Sequence, residues 1–214
     1  MTVAVYETPQ AVPAQADAPF REMTIACLMR EQAQTRPDEK ALREVLPDGQ
    51  IGREWTFADL ERDCAKLGRV LAARHAPGAR IAIYATNCPE WVLTQFAAAL
   101  AGLTIVTVNP AYVPRELRYV VEQSGAEAIY HGPDARGTPL RPIIDEACGD
   151  LTSVTTIIEF TDLDALYACD VPGALRDTTP DHILQIQYTS GTTGFPKGVL
   201  LNQGAVLQNS ADMF

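Results

Sequence analysis

The sequence predicts an α/β protein, a mostly parallel sheet covered by helices on both faces. Three observations carry this expectation. From Arg80 onward, short apolar runs are spaced by helix-patterned segments. Those runs, residues 80–85 and 104–108 among them, are apolar throughout, as strands buried on both faces are. At 214 residues and 47% hydrophobic, the chain is also long enough for one sizeable core. The helices between such strands must cross over right-handed.

Taken in order, residues 1–20 are rich in Ala, Pro and Gln and read as a flexible leader. A helix starts near Thr24, whose hydroxyl can cap it, and ends before Pro37. Residues 41–46 and 51–55 flank the turn Pro47-Asp48-Gly49-Gln50 and form a β-hairpin. Thr56 opens a second helix. Phe57, Leu60, Cys64, Leu67, Val70 and Leu71 fall on one of its faces, and His75-Ala76-Pro77-Gly78 stops it. The alternation then runs strand 80–85, helix 89–101, strand 104–108, helix 114–123, strand 126–131, helix 140–147 and strand 154–160. The helix at 114–123 has Pro in its first turn and Gly125 just past its end. Residues 161–181 are acidic and loop-like, with one helical turn near Asp164. Residues 182–188 form the next strand, 199–201 a second apolar run, and 204–214 a helix with no Gly stop.

Composition excludes several function classes. The formal net charge is -10, which argues against nucleic acid or an anionic membrane as the main partner. Five cysteines (Cys27, Cys64, Cys88, Cys148, Cys169) are scattered without a C-x-x-C pair. They read as reduced thiols, mostly buried, in a cytoplasmic protein. His75, His131 and His182 show no metal-ligand spacing and read as structural or exposed. No secretory signal is visible, and the most apolar run, 96–108, is too short and interrupted to span a bilayer.

Between the strand at 182–188 and the run at 199–201 lies Thr189-Ser190-Gly191-Thr192-Thr193-Gly194-Phe195-Pro196-Lys197-Gly198. Glycines let the backbone approach a ligand closely, and successive N–H groups can form an anion-binding concavity. The Ser and Thr hydroxyls donate to phosphate oxygens, and the Lys ammonium supplies a mobile point charge. The stretch therefore reads as a polyphosphate cradle. It is not a Walker loop, because the fifth position after Gly191 is Pro196. Nor is it the dinucleotide fingerprint, because Gly191 and Gly194 are three apart and Pro-Lys follows. Its flanks make it strand-loop-strand, the tip of a hairpin that could serve as a lid over leaving pyrophosphate. A Walker loop leads into a helix instead.

This string closely resembles the ATP-phosphate loop of the AMP-forming adenylate synthetases, a superfamily of acyl-CoA synthetases, peptide-synthetase adenylation domains and firefly-type luciferases. The resemblance extends over roughly residues 24–209. It includes Thr56-Phe57-Ala58-Asp59-Leu60, Asn87-Cys88-Pro89-Glu90-Trp91, Asn109-Pro110-Ala111-Tyr112 and Gln123-Ser124-Gly125-Ala126, the last two similar to the fatty acyl-CoA ligase branch. It implies the N-terminal part of the acyl-adenylate synthetase large domain, with residues 21–214 a partial AMP-binding domain. It also implies a two-step reaction: a carboxylate attacks the α-phosphorus of ATP to give acyl-AMP and pyrophosphate, and coenzyme A then displaces AMP.

By motif position, Thr189, Ser190, Thr192 and Thr193 would donate to the β- and γ-phosphates. Gly191 and Gly194 would give close backbone approach, and Lys197 would stabilise the leaving pyrophosphate as the catalytic residue. ATP, Mg²⁺ and coenzyme A are the implied cofactors and substrates, beside a small-molecule carboxylic acid that is expected to be a fatty acid. No protein ligand for a metal is assigned. Two departures are visible. Family members often carry a Ser/Thr-His pair where this chain has Asn202-Gln203. The Tyr-Gly-x-Thr-Glu element, the ribose-binding aspartate, the hinge and the catalytic lysine of the family have no counterpart. The expectation is thus a truncated portion, inactive alone and partnered by a missing C-terminal half. The alternatives are a non-catalytic module that binds triphosphate, or adenylation of an amino or aryl acid.

Overall fold

The computed structural model describes residues 22–162, 171, 174–189 and 196–212. The leader therefore lies outside the described residues, as do Asp164, Cys169 and the loop residues Ser190, Gly191, Thr192, Thr193, Gly194 and Phe195.

Helix α1 (Ile25–Thr35) is capped as its sequence suggests, with the Thr24 hydroxyl accepting from the Cys27 amide. Strands β1 (Lys40–Val45) and β2 (Ile51–Thr56) pair antiparallel. Helix α2 (Phe57–Arg74) opens on a capping box. The Thr56 hydroxyl accepts from the Asp59 amide, and the Asp59 carboxylate accepts from the Thr56 amide. The alternating part then follows as β3 (Arg80–Tyr84), α3 (Pro89–Leu100), β4 (Thr104–Val108), α4 (Pro114–Ser124) and β5 (Ala128–His131). Gly125, just past α4, sits in the left-handed region at φ 66°, the conformation a helix stop of this kind needs.

One element had no sequence expectation. Two-residue strands β6 (Asp134–Ala135) and β7 (Thr138–Pro139) make a small hairpin, with Arg136 at φ 53° and Gly137 at φ 83°. Helix α5 (Leu140–Cys148) and strand β8 (Thr156–Glu159) come next. The strand is shorter than its apolar run because Phe160–Asp162 tightens into a 3₁₀ turn. Strands β9 (Ile183–Thr189) and β10 (Lys197–Asn202) and helix α6 (Gln203–Asp212) complete the described chain.

The main sheet has six strands in the order β10-β9-β4-β3-β5-β8. All pairs are parallel except β9–β10. Along β3 the faces alternate. Ile81 and Ile83 join a core with Leu67 and Leu71 of α2, Ala97 of α3 and Ala101 just past it. Ala82 and Tyr84 join a second core with Leu117 and Val121 of α4 and Ile144 of α5. Helices thus cover both faces, which is why these strands carry no polar alternation. A third cluster packs α1 against α2 and α3 and takes in Leu184 and Leu207. The buried bond from the Ile25 amide to the Gln203 side-chain carbonyl (2.8 Å) ties α1 to the start of α6.

Arg176, in the crossing from β8 to β9, donates to the carbonyls of Ala72 (2.6 Å) and Ala101 (2.8 Å), satisfying the C-terminal ends of α2 and α3. The described cysteines differ in exposure. Cys64 and Cys148 are buried and Cys88 is half-buried, but Cys27 lies on the exposed side of α1. Burial among Val, Ile and Tyr side chains holds Cys148 and Tyr130 neutral. It pushes the Cys148 thiol up to about 11 and the Tyr130 phenol up to about 12. In an unfolded chain the two groups return to their ordinary values, about 8.5 and 10. The unfolded state therefore releases these protons first, and folding stability falls as pH rises from about 9 through 12. Thermal unfolding followed across that range is expected to show a declining midpoint, with the decline between pH 9 and 11 reduced in Cys148→Ala.

Candidate functional site

Two of the loop residues expected to hold phosphate are brought face to face. Thr189 ends β9, Lys197 begins β10, and the two pair across the antiparallel ladder, followed by Tyr188 with Gly198. Strands β9 and β10 are therefore the two arms of a β-hairpin, as the two apolar runs suggest. Thr189 and Lys197 are both exposed, and Lys197 makes no ion pair among the described residues. Its ammonium is available to an anion.

The hairpin has a particular place in the sheet. Strand β9 runs parallel to β4, with Val106 beside Ile186 and Thr107 beside Gln187. Thr189 thus leaves the sheet at its carboxyl edge, the edge at which Asn109 follows β4. In open α/β sheets ligands bind at that edge, most often where neighbouring strands lead off in opposite directions. Here β3 leads to β4 on one side and β5 leads to β8 on the other, so the crevice between β3 and β5 is the switch point.

A cleft of about 740 Å³ opens there, lined by Thr86 and Asn87 after β3, Asn109 and Tyr112 after β4, and Arg136 and Thr138 of the β6–β7 hairpin. Its floor is built from the interior. The fully buried Tyr84 donates from its hydroxyl to the Tyr112 carbonyl at 2.8 Å, and the Asn109 side chain accepts from the Ala111 amide at 3.0 Å. Burial raises the phenol pKa of Tyr84, Tyr112 and Tyr188, so all three remain hydroxyl donors near neutrality. Chemically the edge offers an exposed ammonium, hydroxyls and amides, which suits an anionic ligand with several acceptor oxygens.

Sequence reasoning did not single out the cleft residues for chemistry. The positive-φ pair Arg136-Gly137 puts a cation at the cleft rim, and a bulky residue in that region is not legible from propensity. The histidines bond within the structure. His75 is buried between the Glu127 carboxylate (3.0 Å) and the Tyr130 hydroxyl (3.1 Å), and a ring nitrogen of His182 lies 3.3 Å from the Leu103 carbonyl. Among the described residues no group of three or more His, Cys, Asp or Glu is placed to hold a metal ion, and no helix is long and apolar enough to cross a membrane.

Comparison with known proteins places this geometry. The profile of the family described as AMP-binding enzyme matches residues 29–214. The YngI protein of Bacillus subtilis (strain 168), which bears an acyl-CoA synthetase name, is 32% identical over 219 residues, covering 89% of this chain and 39% of that protein. The sulfoacetate–CoA ligase of Cupriavidus necator is 31% identical over 192 residues, covering 89% of this chain and 37% of that enzyme. Among solved structures, the fatty acyl CoA synthetase of Mycobacterium tuberculosis superposes with a TM-score of 0.68 at 26% identity, over 84% of this chain and 34% of that one. The chain thus spans about two fifths, or less, of the length of the proteins it matches.

Proposed function

Because the chain belongs to the AMP-binding enzyme family, we propose that it supplies the triphosphate-holding part of an AMP-forming acid–thiol ligase. In that reaction a carboxylate oxygen bonds to the α-phosphorus of ATP while the bridge to the β-phosphorus breaks and pyrophosphate leaves. A thiol, that of coenzyme A, then takes the acyl group and releases AMP. Residues 21–214 form the first part of the adenylation domain in this reading. The observation that carries it is the hairpin, which sets Thr189 opposite Lys197 at the carboxyl edge of the sheet.

This chain's residues would do the following. The hydroxyls of Thr189, Ser190, Thr192 and Thr193 hold the β- and γ-phosphates, with Gly191 and Gly194 allowing the backbone to come close. Lys197 neutralises the charge that grows on pyrophosphate as it departs, the moment at which a fixed positive charge is worth most. Mg²⁺ would arrive on the triphosphate, whose oxygens suit a hard cation that keeps several of its waters. The acid is proposed to be a fatty acid, supported by the Asn109-Pro110-Ala111-Tyr112 element and the mycobacterial fatty acyl structure. A cytoplasmic location fits the free thiols of the four described cysteines. The relatives' greater length favours a segment that works together with the remainder of such an enzyme, and not as a catalyst by itself.

A local readout tests the cradle on this chain. It has three lysines, Lys40, Lys66 and Lys197, so endoproteinase Lys-C reports on Lys197 with two internal references. MgATP and pyrophosphate are expected to slow cleavage after Lys197 while leaving cleavage after Lys40 and Lys66 unchanged. AMP, which lacks the β- and γ-phosphates, is expected to give no protection. Equal cleavage after Lys197 under all three conditions would overturn the assignment.

A further inference from the structure

We propose that helix α4 is a clamp that fixes both limbs of the phosphate hairpin, with Tyr119 as its positioning residue. The inference rests on the reading of residues 189–198 as a phosphate loop, and it assigns a role to residues outside that motif. The Tyr119 hydroxyl donates to the carbonyl of Pro196, the residue immediately before Lys197, at 3.2 Å. On the other limb, the hydroxyl of Tyr188, immediately before Thr189, bonds to the Gln123 side-chain oxygen and lies 3.4 Å from the Val120 carbonyl.

Residues 119 and 123 are four apart and so share one face of a helix, one turn apart. A single turn of α4 therefore holds the entry and the exit of the hairpin. The rings of Tyr119 and Tyr188 also pack against the core built by Leu117, Val120 and Val121 of the same helix, which leaves the clamp little freedom to swing.

The motif's last glycine completes the arrangement. A Cβ on Gly198 would come within 2.9 Å of the Ile186 side chain and 3.2 Å of the Tyr188 ring. Gly198 is thus required for close approach, because it lets the Tyr188 ring lie across the ladder and reach α4. A glycine in a phosphate motif is expected to serve the ligand. This one serves the clamp.

A positioning role has a definite consequence. Limbs that are already held on α4 have less freedom to lose when a ligand arrives, so less ordering entropy opposes binding. Freeing one limb should loosen the loop without unfolding the sheet. In Tyr119→Phe, which keeps the ring and removes only the hydroxyl, Lys-C cleavage after Lys197 in the absence of ligand is expected to speed up about fivefold, the factor that corresponds to one ordinary net hydrogen bond. Cleavage after Lys66 and the thermal midpoint should stay near those of the unsubstituted chain. Pyrophosphate should then protect Lys197 only at about fivefold higher concentration. Gly198→Ala, which pushes on Tyr188 instead, is expected to speed cleavage after Lys197 in the same way.

Unchanged cleavage after Lys197 in both variants would overturn the clamp. So would a rise at Lys66 equal to that at Lys197, which would mark general destabilisation. The ligand-free arm separates the two readings. If pyrophosphate fails to protect the unsubstituted chain but Tyr119→Phe still loosens Lys197, the phosphate assignment falls and the clamp stands.

Discussion

Lys197→Ala is expected to lower acyl-adenylate formation by about a hundredfold in a complete adenylating enzyme that carries this segment, while slowing thioester formation from preformed acyl-adenylate far less. The asymmetry follows from where charge develops. In the first half-reaction the leaving pyrophosphate gains charge as the bridging bond breaks, and in the proposed role the Lys197 ammonium would stabilise that state more than it stabilises bound ATP. In the second half-reaction pyrophosphate has gone, and the bond that breaks is the acyl carbon–oxygen bond to AMP. Lys197 is exposed and without an ion pair among the described residues, so its removal leaves no buried partner unsatisfied and should not disturb the fold. ATP–pyrophosphate exchange reads the first step, and single-turnover thioester formation reads the second. Lys197→Arg should recover only part of the rate, because a planar fork does not replace a compact point charge at the same reach. Equal losses in both half-reactions would show that Lys197 serves binding or folding in general.

Much of the scaffold around that lysine could be read before any coordinates. Thr24 and Thr56 mark helix starts because a hydroxyl can satisfy the first free amides. Gly125 marks a stop because its φ of 66° is cheap only without a side chain. The uniformly apolar strands could not face water, so helices had to cover both sides. The hairpin arms at Thr189 and Lys197 were legible for the same kind of local reason, two apolar runs flanking a glycine-containing stretch. What could not be read is long-range. Strand β9 returns to pair with β4 from far along the chain, with Ile186 beside Val106 and Gln187 beside Thr107. No local pattern specifies that, because any apolar strand could take the slot. The cleft at the β3/β5 switch point depends likewise on the order β4-β3-β5-β8, and so was invisible. The clamp was hidden for a related reason. Tyr119 and Gln123 look like the boundary residues of an amphipathic helix, and their partners lie 77 and 65 residues away.

Tyr84→Ala is expected to cost about 3–5 kcal/mol of folding stability, the range for removing a large buried ring. Against a total of about 5–15 kcal/mol for a domain, that is enough to leave the chain marginal or unfolded. Tyr84 stands in β3, the strand with parallel neighbours on both sides, and its side chain is fully buried among residues of β4, α4 and α5. A void there has little room to collapse, because the backbone on each side is pinned by ladder hydrogen bonds. Tyr84→Phe keeps the ring and gives up only the 2.8 Å bond to the Tyr112 carbonyl, so about 1 kcal/mol is expected. Urea unfolding measures both, with the midpoint shifting and the slope held constant. Similar losses in the two variants would mean that the hydroxyl, not the packing, dominates. The two substitutions also separate core from site. Tyr112 lines the cleft, so Tyr84→Phe frees a cleft turn from the sheet beneath it at small cost in stability. Any change in ligand affinity in that variant then reports the positioning of the cleft, and not the survival of the fold.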